Sequence, residues 1–489
     1  MLLSQLLENV EYSGSFEDFE ISVLTCDSRD AMEKDSVFVC IKGFNMDGHD
    51  FASDVMKKGA KAVVVEKDLG LENQILVKNS REAYAKMCSA YFGYPSKKIK
   101  LIGVTGTNGK TTVTTVIRSI LEHNGYKVGL LGTISNKIDD LEIPAKHTTP
   151  DPMELHALLD RMVQAGCEYA VMEVSSHALD QHRLDGCEFD VGVFTNLTQD
   201  HLDYHKSMEN YFDAKAKLFD MSKTAVINLD DKYGEILYEK LTYDKKNVKT
   251  FSTSLDTADF TAKDIRFKAD GVKFAFVGMD LIGRVSFAMP GEFSVSNAMA
   301  AVSACIAAGE KLSDCTNGIA KCEGVRGRAE VIYSDDDYTI ICDYAHTPDG
   351  IKKILQAIRS FSGDRRLLIL FGCAGNRDSK KRPVMAAAAA ENSDFIILTS
   401  DNPRREPVDK IIKEAEKGFE QYKTPYITIA DRFSAIEWAV TNMKKGDILL
   451  LAGKGHEDYQ VLDFGTVCFD EREIVNRIIE EKGIGSAVK

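Results

Sequence analysis

Gly103-Val104-Thr105-Gly106-Thr107-Asn108-Gly109-Lys110-Thr111-Thr112 decides how this chain folds. The apolar run KLIGV leads into it and reads as a buried strand. TTVTTVIRSILEH follows it and reads as a helix stopped by Gly125. A strand, a Gly/Thr/Asn turn and a helix in that order form a phosphate loop. Gly106 and Gly109 let backbone N–H groups of Thr107 and Asn108 turn toward phosphate oxygens, and the helix N-terminus adds a positive dipole end. Lys110 can reach the β and γ phosphates, Thr111 can ligate Mg²⁺, and Thr112 continues the first turn. Val104 stands where the strict GxxxxGK[ST] spacing puts its first glycine. The expected ligand is a nucleoside triphosphate, ATP or GTP.

Working outward, apolar runs at 128–131, 168–174, 191–196 and 225–228 alternate with helical patterns, which predicts a mostly parallel sheet with helices on both faces. Residues 1–98 read as a smaller α/β unit, with β-branched runs at 36–41 and 60–65, a helix over 80–92 and a linker at 94–98. From 329 a third unit begins, with strands at 338–342, 367–371, 395–399 and 448–451. Three of them run into the polar loops GCAGNRDSKKR, SDNPRREP and AGKGHEDYQ. Ligands of open α/β sheets sit beyond the carboxyl ends of strands, so these loops are expected to converge on one pocket. The expected fold class is therefore α/β with three domains: 1–98, a central P-loop-type domain over 99–328 and a Rossmann-like domain over 329–489. The length of 489 residues agrees with that count.

Subtracting 75 acidic from 61 basic side chains leaves −14, which argues against a protein that grips nucleic acid or an anionic membrane by its overall field. A small anionic ligand feels only groups within about 8 Å at physiological salt, so a local basic pocket can outweigh the global sign. The eleven cysteines are odd in number and never spaced as CxxC, which predicts reduced, mostly packed thiols. No basic leader and no uncharged stretch of about 18 residues is present, so a soluble cytoplasmic protein without membrane insertion is expected, and a monomer.

Two further segments carry chemistry at strand ends: MEVSSHALDQHR over 172–183 and NLTQDHLDYH over 196–205. Glu173 and His201 are expected at the ends of neighbouring strands, where a carboxylate and an imidazole could hold Mg²⁺ near the phosphate loop. The His201/His205 spacing could instead suggest zinc, but neither a thiolate nor an HExxH context accompanies it.

GTNGKTT, MEVSSHAL, DHLDYH with YFDAKAKLF, SNAMAA (296–301), GRAE (327–330) and DYAHTPDG (343–350) together resemble the Mur ligase family over essentially the whole chain. The resemblance implies an ATP-dependent amide ligase that builds the peptide of the bacterial cell-wall precursor. CDSRD (26–30) and HTTPDP (147–152) resemble the members that add the third residue to UDP-N-acetylmuramoyl-L-alanyl-D-glutamate. It further implies that Ser28 contacts the uridine diphosphate and that Thr148, Thr149, Ser175 and Arg183 hold the muramoyl dipeptide. Asn297, Arg328 and Asp343 would contact ATP, with Arg328 at a hinge that closes over it. Lys215 would be carboxylated to a carbamate and join Thr111, Glu173 and His201 around two magnesium ions; by itself it reads as a surface helix lysine like Lys217. Arg377, Asp401, Asn402, Pro403, Arg404, Gly453 and Glu457 would bind the incoming amino acid. DNPR (401–404) has the form associated with meso-diaminopimelate, because a guanidinium can bind its extra carboxylate bidentately while facing lysine's ammonium with like charge. The lysine- or ornithine-adding version is the alternative, and a P-loop nucleotide hydrolase a more distant one.

Overall fold

The computed structural model describes residues 1–43, 46–268, 271–335 and 337–483. They divide into two compact units, Met1–Thr261 with Met299–Gly318, and Ala262–Ala298 with Ile319–Lys489.

The first unit contains two sheets. Leu24–Thr25, Ser36–Val39, Ala60–Val65 and Gln74–Val77 run parallel, and Tyr12–Ser13 closes the edge antiparallel. Alternation along these short strands serves two cores. Val37, Val39, Ala62 and Val64 pack toward Tyr84 and Met87 of the helix Ser80–Tyr91, and Phe38, Val63 and Val65 pack toward Val55 of the helix Ala52–Lys58. The expected linker is a packed turn. Pro95 and Ser96 are buried in a 3₁₀ turn, and the Ser96 hydroxyl accepts from Glu188 N at 3.3 Å.

The second sheet is built around β1 (Lys100–Thr105), which feeds the helix α1 (Lys110–His123). β1 pairs on one side with β2 (Tyr169–Glu173) and on the other with β3 (Phe189–Phe194), both parallel. Val128–Leu131 extends the sheet beyond β2, and Ser222–Asn228 then Asn247–Ser252 extend it beyond β3, all parallel. Glu173 and the segment leading to His201 therefore do not lie on neighbouring strands. The phosphate-loop strand runs between β2 and β3, so these residues flank the loop from opposite sides. An antiparallel edge, Ser135–Ile138 with Leu141–Pro144, was not legible as strand in the sequence; its outer member is mostly exposed and too short for a clear apolar period.

Gly103 and Gly192 face each other across β1 and β3. A Cβ at Gly103 would come within 2.7 Å of the Phe189 ring and 3.1 Å of Leu218. These two glycines let the helix α2 (Met208–Asp220) sit close on the sheet. Lys215, three residues before Leu218 and on the same helix face, is thereby carried under the phosphate loop.

In the second unit Glu330–Ser334 forms an antiparallel edge against β4 (Thr339–Asp343). β5 (Leu367–Cys373), β6 (Phe395–Ser400) and β7 (Ile448–Ala452) complete its parallel core in the order β4, β7, β5, β6, with Tyr426–Thr428 outermost. The strands are buried on both faces, as their continuous apolar runs demand. A hairpin, Tyr459–Leu462 with Gly465–Cys468, follows β7, and another, Gly271–Gly278 with Leu281–Phe287, lies earlier in the chain. All eleven cysteines are free, nine of them buried, and no described helix is long and apolar enough to cross a membrane.

One core residue makes the first unit acid-sensitive. His156, in the helix Pro152–Gln164, is fully buried, and neither ring nitrogen has a hydrogen-bond partner among the described residues. Burial lowers its pKa from 6.5 to about 4. As pH falls through this range the unfolded chain takes up a proton that the folded chain refuses, so stability falls, by on the order of 3 kcal/mol at most. His156→Leu is expected to flatten the pH dependence of the melting temperature below pH 6.5. Thermal melts at pH 7.5 and pH 5 test this; equal losses on acidification in both proteins would refute it.

Candidate active site

The phosphate loop is fastened to the segment that leaves β3. Thr107 N donates to Asn196 O at 2.9 Å and Asn108 N donates to Asn196 Oδ1 at 3.0 Å, while Thr195 Oγ1 donates to Asn108 O at 2.6 Å. Gly106 takes a positive φ of 150°, and a Cβ there would collide with Thr195 Oγ1, so this corner of the loop admits only glycine. Gly109, at φ 87°, starts α1. Lys110 folds its ammonium back onto Gly106 O and Thr107 O, both at 2.9 Å, which places it on the loop that would carry the phosphates. Thr112 is buried in the first turn.

Glu173 ends β2 only 1% exposed, and three donors converge on its carboxylate. Thr111 Oγ1 donates to Oε2 at 2.9 Å, Thr133 Oγ1 to Oε2 at 3.0 Å and Thr133 N to Oε1 at 2.8 Å. Gly132 makes room, since a Cβ there would stand 2.6 Å from Oε1. Thr133 escaped sequence reasoning; the available signal was a hydroxyl residue just past the buried strand Val128–Leu131. The same carboxylate joins the phosphate loop to the TTPDP segment, because Thr133 Oγ1, its proton directed to Glu173, can accept from Thr148 Oγ1 at 3.1 Å. Thr149 Oγ1 donates to Glu173 O at 2.8 Å and accepts from Ser175 N at 3.0 Å. Ser175 caps the short helix Ser176–Asp180. Arg183 donates to Thr149 O at 3.1 Å and pairs with Asp151 at 3.3 Å.

His201 takes a left-handed backbone and sits edge-on to His177, with ring centroids 4.9 Å apart. Partial desolvation lowers its pKa to about 4, so the imidazole is neutral and able to ligate a cation at neutral pH. His205 is buried and bonded through Nε2 to Ser176 Oγ at 2.9 Å. It therefore has an ordinary packing partner, in line with the weak case for zinc.

Lys215 is buried, 1% exposed, whereas Lys217 on the same helix is half-buried. Its Nζ donates to Gly106 O at 2.8 Å and lies 4.7 Å from the centroid of the Tyr211 ring. Among the described residues it has no carboxylate partner within ion-pair distance. Burial, then the nearby Lys110 ammonium, pushes its pKa far below that of an ordinary lysine. The bland reading of a solvated surface lysine is thus wrong, for the close approach of α2 to the glycines of β1 and β3 buries it.

Ser28 and Arg183 line a cleft of about 1360 Å³ in the first unit, together with Arg81, Lys146, Asp151 and Gln181. Arg81 and Lys146 were missed in the sequence, where nothing separates them from other surface cations; the cleft makes them neighbours of Ser28.

In the second unit the three polar loops meet as expected. Gly375 N donates to Asn402 O at 2.9 Å, and a Cβ at Gly375 would overlap Pro403 O. Asn402 Nδ2 donates to Glu457 Oε2 at 3.0 Å. Gly453, at φ 111°, would place a Cβ 2.9 Å from Asp401 Oδ2. Arg404 has a left-handed backbone anchored by its N–H to Val461 O at 3.0 Å, and its guanidinium donates to Gly375 O at 3.0 Å. Arg377 is on the exposed part of its loop. Lys454 was overlooked in the sequence although it lies inside the GKGHE segment; it is fully buried among these groups. Arg328 stacks on Tyr344 at 4.7 Å, and Asp343 accepts from Ala329 N and Ala345 N, both at 2.7 Å. Asn297 is buried in the helix Glu292–Ala307.

Comparison with known proteins bears on the same regions. The Mur ligase family catalytic domain matches residues 20–92, the Mur ligase middle domain residues 104–305, and the Mur ligase glutamate ligase domain residues 327–455. A UDP-N-acetylmuramoyl-L-alanyl-D-glutamate--2,6-diaminopimelate ligase of Clostridium tetani (strain Massachusetts / E88) is 44% identical, over 98% of this chain and 100% of its own. One of the same name from Caldanaerobacter subterraneus subsp. tengcongensis is also 44% identical, over 98% and 99%. A solved structure of a ligase of that name superposes with a TM-score of 0.71 at 32% identity, covering 95% of this chain and 96% of the other.

Proposed function

The chain belongs to the Mur ligase family, and from that premise we propose the reaction it performs and the part each site residue takes in it. It is an ATP-dependent ligase of peptidoglycan synthesis that adds meso-2,6-diaminopimelate to UDP-N-acetylmuramoyl-L-alanyl-D-glutamate. The observation that carries this reading is the 44% identity with the C. tetani ligase over the full length of both chains. The DNPR loop, with Arg404 fixed at both backbone and side chain, supports it for the amino acid.

A free carboxylate is a poor electrophile, so activation precedes amide formation. The D-glutamyl carboxylate attacks the γ-phosphorus of ATP and ADP leaves; the incoming amine then attacks the acyl carbon of the acyl phosphate, and the tetrahedral intermediate loses the amine's proton and expels inorganic phosphate to leave the amide. The phosphate loop with Lys110 holds the triphosphate, and Ser28, Arg183 and the Thr148/Thr149/Ser175 segment orient the UDP-muramoyl dipeptide. Asn297, Arg328 and Asp343 take the ATP side of the second unit. Arg377, Asp401, Asn402, Pro403, Arg404, Gly453 and Glu457 take the diaminopimelate, with Arg404 toward its distal carboxylate and Glu457 toward its distal ammonium.

The donor set fits magnesium: a buried carboxylate on Glu173, the Thr111 hydroxyl 2.9 Å from it and a neutral imidazole on His201. When bound, the metal would offset the charge that accumulates on the phosphoryl group and acyl oxygen. Lys215, its pKa pushed down by burial, is suited to combine as the free amine with carbon dioxide, losing a proton and gaining a carbamate anion that would serve a second ion. We assign the three tasks of UDP binding, ATP use and amino-acid delivery to 1–98, 99–328 and 329–489, and place a monomer at work in the cytoplasm.

The test is phosphate release with ATP, the UDP-muramoyl dipeptide and, side by side, meso-diaminopimelate, lysine or ornithine. Release that needs all three substrates and is fastest with meso-diaminopimelate is the expected result. Release with ATP alone would point to a hydrolase, and preference for lysine to the other branch of the family.

A further inference from the structure

Lys454 is fully buried, and its ammonium makes three hydrogen bonds that arrange the second unit's polar pocket. Nζ donates to Asn402 Oδ1 at 2.7 Å, to Glu457 Oε2 at 3.2 Å and to Tyr459 O at 2.8 Å; Asp401 Oδ1 stands 3.6 Å away. Val461 N also donates to Asn402 Oδ1, at 2.9 Å. With two donors on its oxygen, the Asn402 amide can only present its NH₂ toward Glu457, where it meets Oε2 at 3.0 Å. Oε2 of Glu457 thus accepts from both Lys454 and Asn402, and Oε1 has no partner among the described residues. One carboxylate oxygen is fixed from behind and the other is left for a ligand.

The charge count points the same way. Around Glu457 itself, Asp401 and Glu457 bring two negative charges and Lys454 one positive, and the further cation of these loops, Arg404, turns its guanidinium to Gly375 O and Asn402 O. A pocket of that kind takes a ligand ammonium and rejects a second anion at the same spot. Removing Lys454 would leave the buried Asp401 and the partly buried Glu457 carboxylates without their shared cation, a free Asn402 rotor and a Tyr459 carbonyl without its donor.

We propose that Lys454 is a positioning residue for the amino-acid substrate: it orients Asn402 and Glu457 and sets the charge of the subsite that receives the distal ammonium of the diamino acid. The inference rests on reading this pocket as the amino-acid site, and its consequence is confined to that substrate. ATP and the UDP-muramoyl dipeptide bind groups that Lys454 does not touch.

The test uses the purified full-length enzyme and its three substrates. Lys454→Met is expected to raise KM for meso-diaminopimelate at least tenfold while KM for ATP and for the UDP-muramoyl dipeptide stays within twofold. Lys454→Met/Glu457→Gln is expected to be no worse than Glu457→Gln alone, because a positioning cation has nothing left to position once its carboxylate is gone. That comparison also serves where the single variant loses its cooperative melting transition, since the double variant leaves one carboxylate fewer without its cation. An unchanged KM for meso-diaminopimelate, an equal rise in all three KM values, or a further tenfold loss in the double variant would overturn the proposal. A wild-type enzyme that does not accept meso-diaminopimelate would instead overturn the reading of the pocket on which it rests.

Discussion

Lys215→Ala is expected to lower kcat/KM by about a thousandfold or more while the melting temperature stays level or rises. The two halves of this result discriminate between roles. If Lys215 did no more than donate to Gly106 O, its loss would forfeit one hydrogen bond to a backbone carbonyl, about 1 kcal/mol, or less than tenfold in rate. If the amine carries a carbamate, the variant loses an anion beside the transferring phosphoryl group, where electrostatic stabilisation is worth about 4 kcal/mol. Stability moves little because an amine so deeply buried, without a carboxylate partner among the described residues, is not a net contributor to folding. The depressed pKa supplies the chemistry. Only the free amine attacks carbon dioxide, and burial favours that form in Lys215 relative to an exposed lysine. Activity of wild-type enzyme prepared free of carbon dioxide is accordingly expected to recover on addition of bicarbonate, and that of Lys215→Ala is not. Full activity in the alanine variant would remove the carbamate from the mechanism.

Arg404→Ala should invert or erase the choice of amino acid. Meso-diaminopimelate differs from lysine by one carboxylate on its far carbon. A guanidinium aimed there gains a charge-assisted pair with the first and meets no anion on the second. Arg404 is held at its backbone by Val461 O and at its side chain by Gly375 O, with its peptide in the left-handed region, which would preorganise it for the role proposed. Together the lost pair and the relieved like-charge contact with lysine amount to about 3–4 kcal/mol, or two to three orders of magnitude in the ratio of kcat/KM for the two amino acids. Arg404→Lys, which keeps the charge but not the planar fork, should fall between. Competition of the two amino acids at equal concentration, with the products separated by mass, reads the ratio directly. An unchanged ratio in Arg404→Ala would show that diaminopimelate is chosen elsewhere.

Much of the site was legible because its residues sit at ends of strands whose apolar runs are unmistakable. Glu173 after YAVM, Asp401 after FIILTS and Gly453 after ILLLA are each marked by an abrupt change from buried strand to polar loop. The phosphate loop needed only its glycines, whose positive φ angles are local properties of the chain. What local pattern could not supply was partnership. Thr133 reads as any threonine until Glu173, forty residues further on, folds against it. Lys454 reads as one more solvated cation until two strand-end loops enclose it.

The sequence by itself determined the α/β class, the parallel strands and the loops that carry polar side chains beyond them, because apolar period and glycine placement act over a few residues. Tertiary structure alone decided strand order and the burial of charged groups. It put β1 between Glu173 and the His201 segment, where the sequence suggested neighbours. It also took Lys215 out of water and pushed its pKa well down, since the free energy of a charge depends on how far water is removed from it, and that is set by contacts distant along the chain.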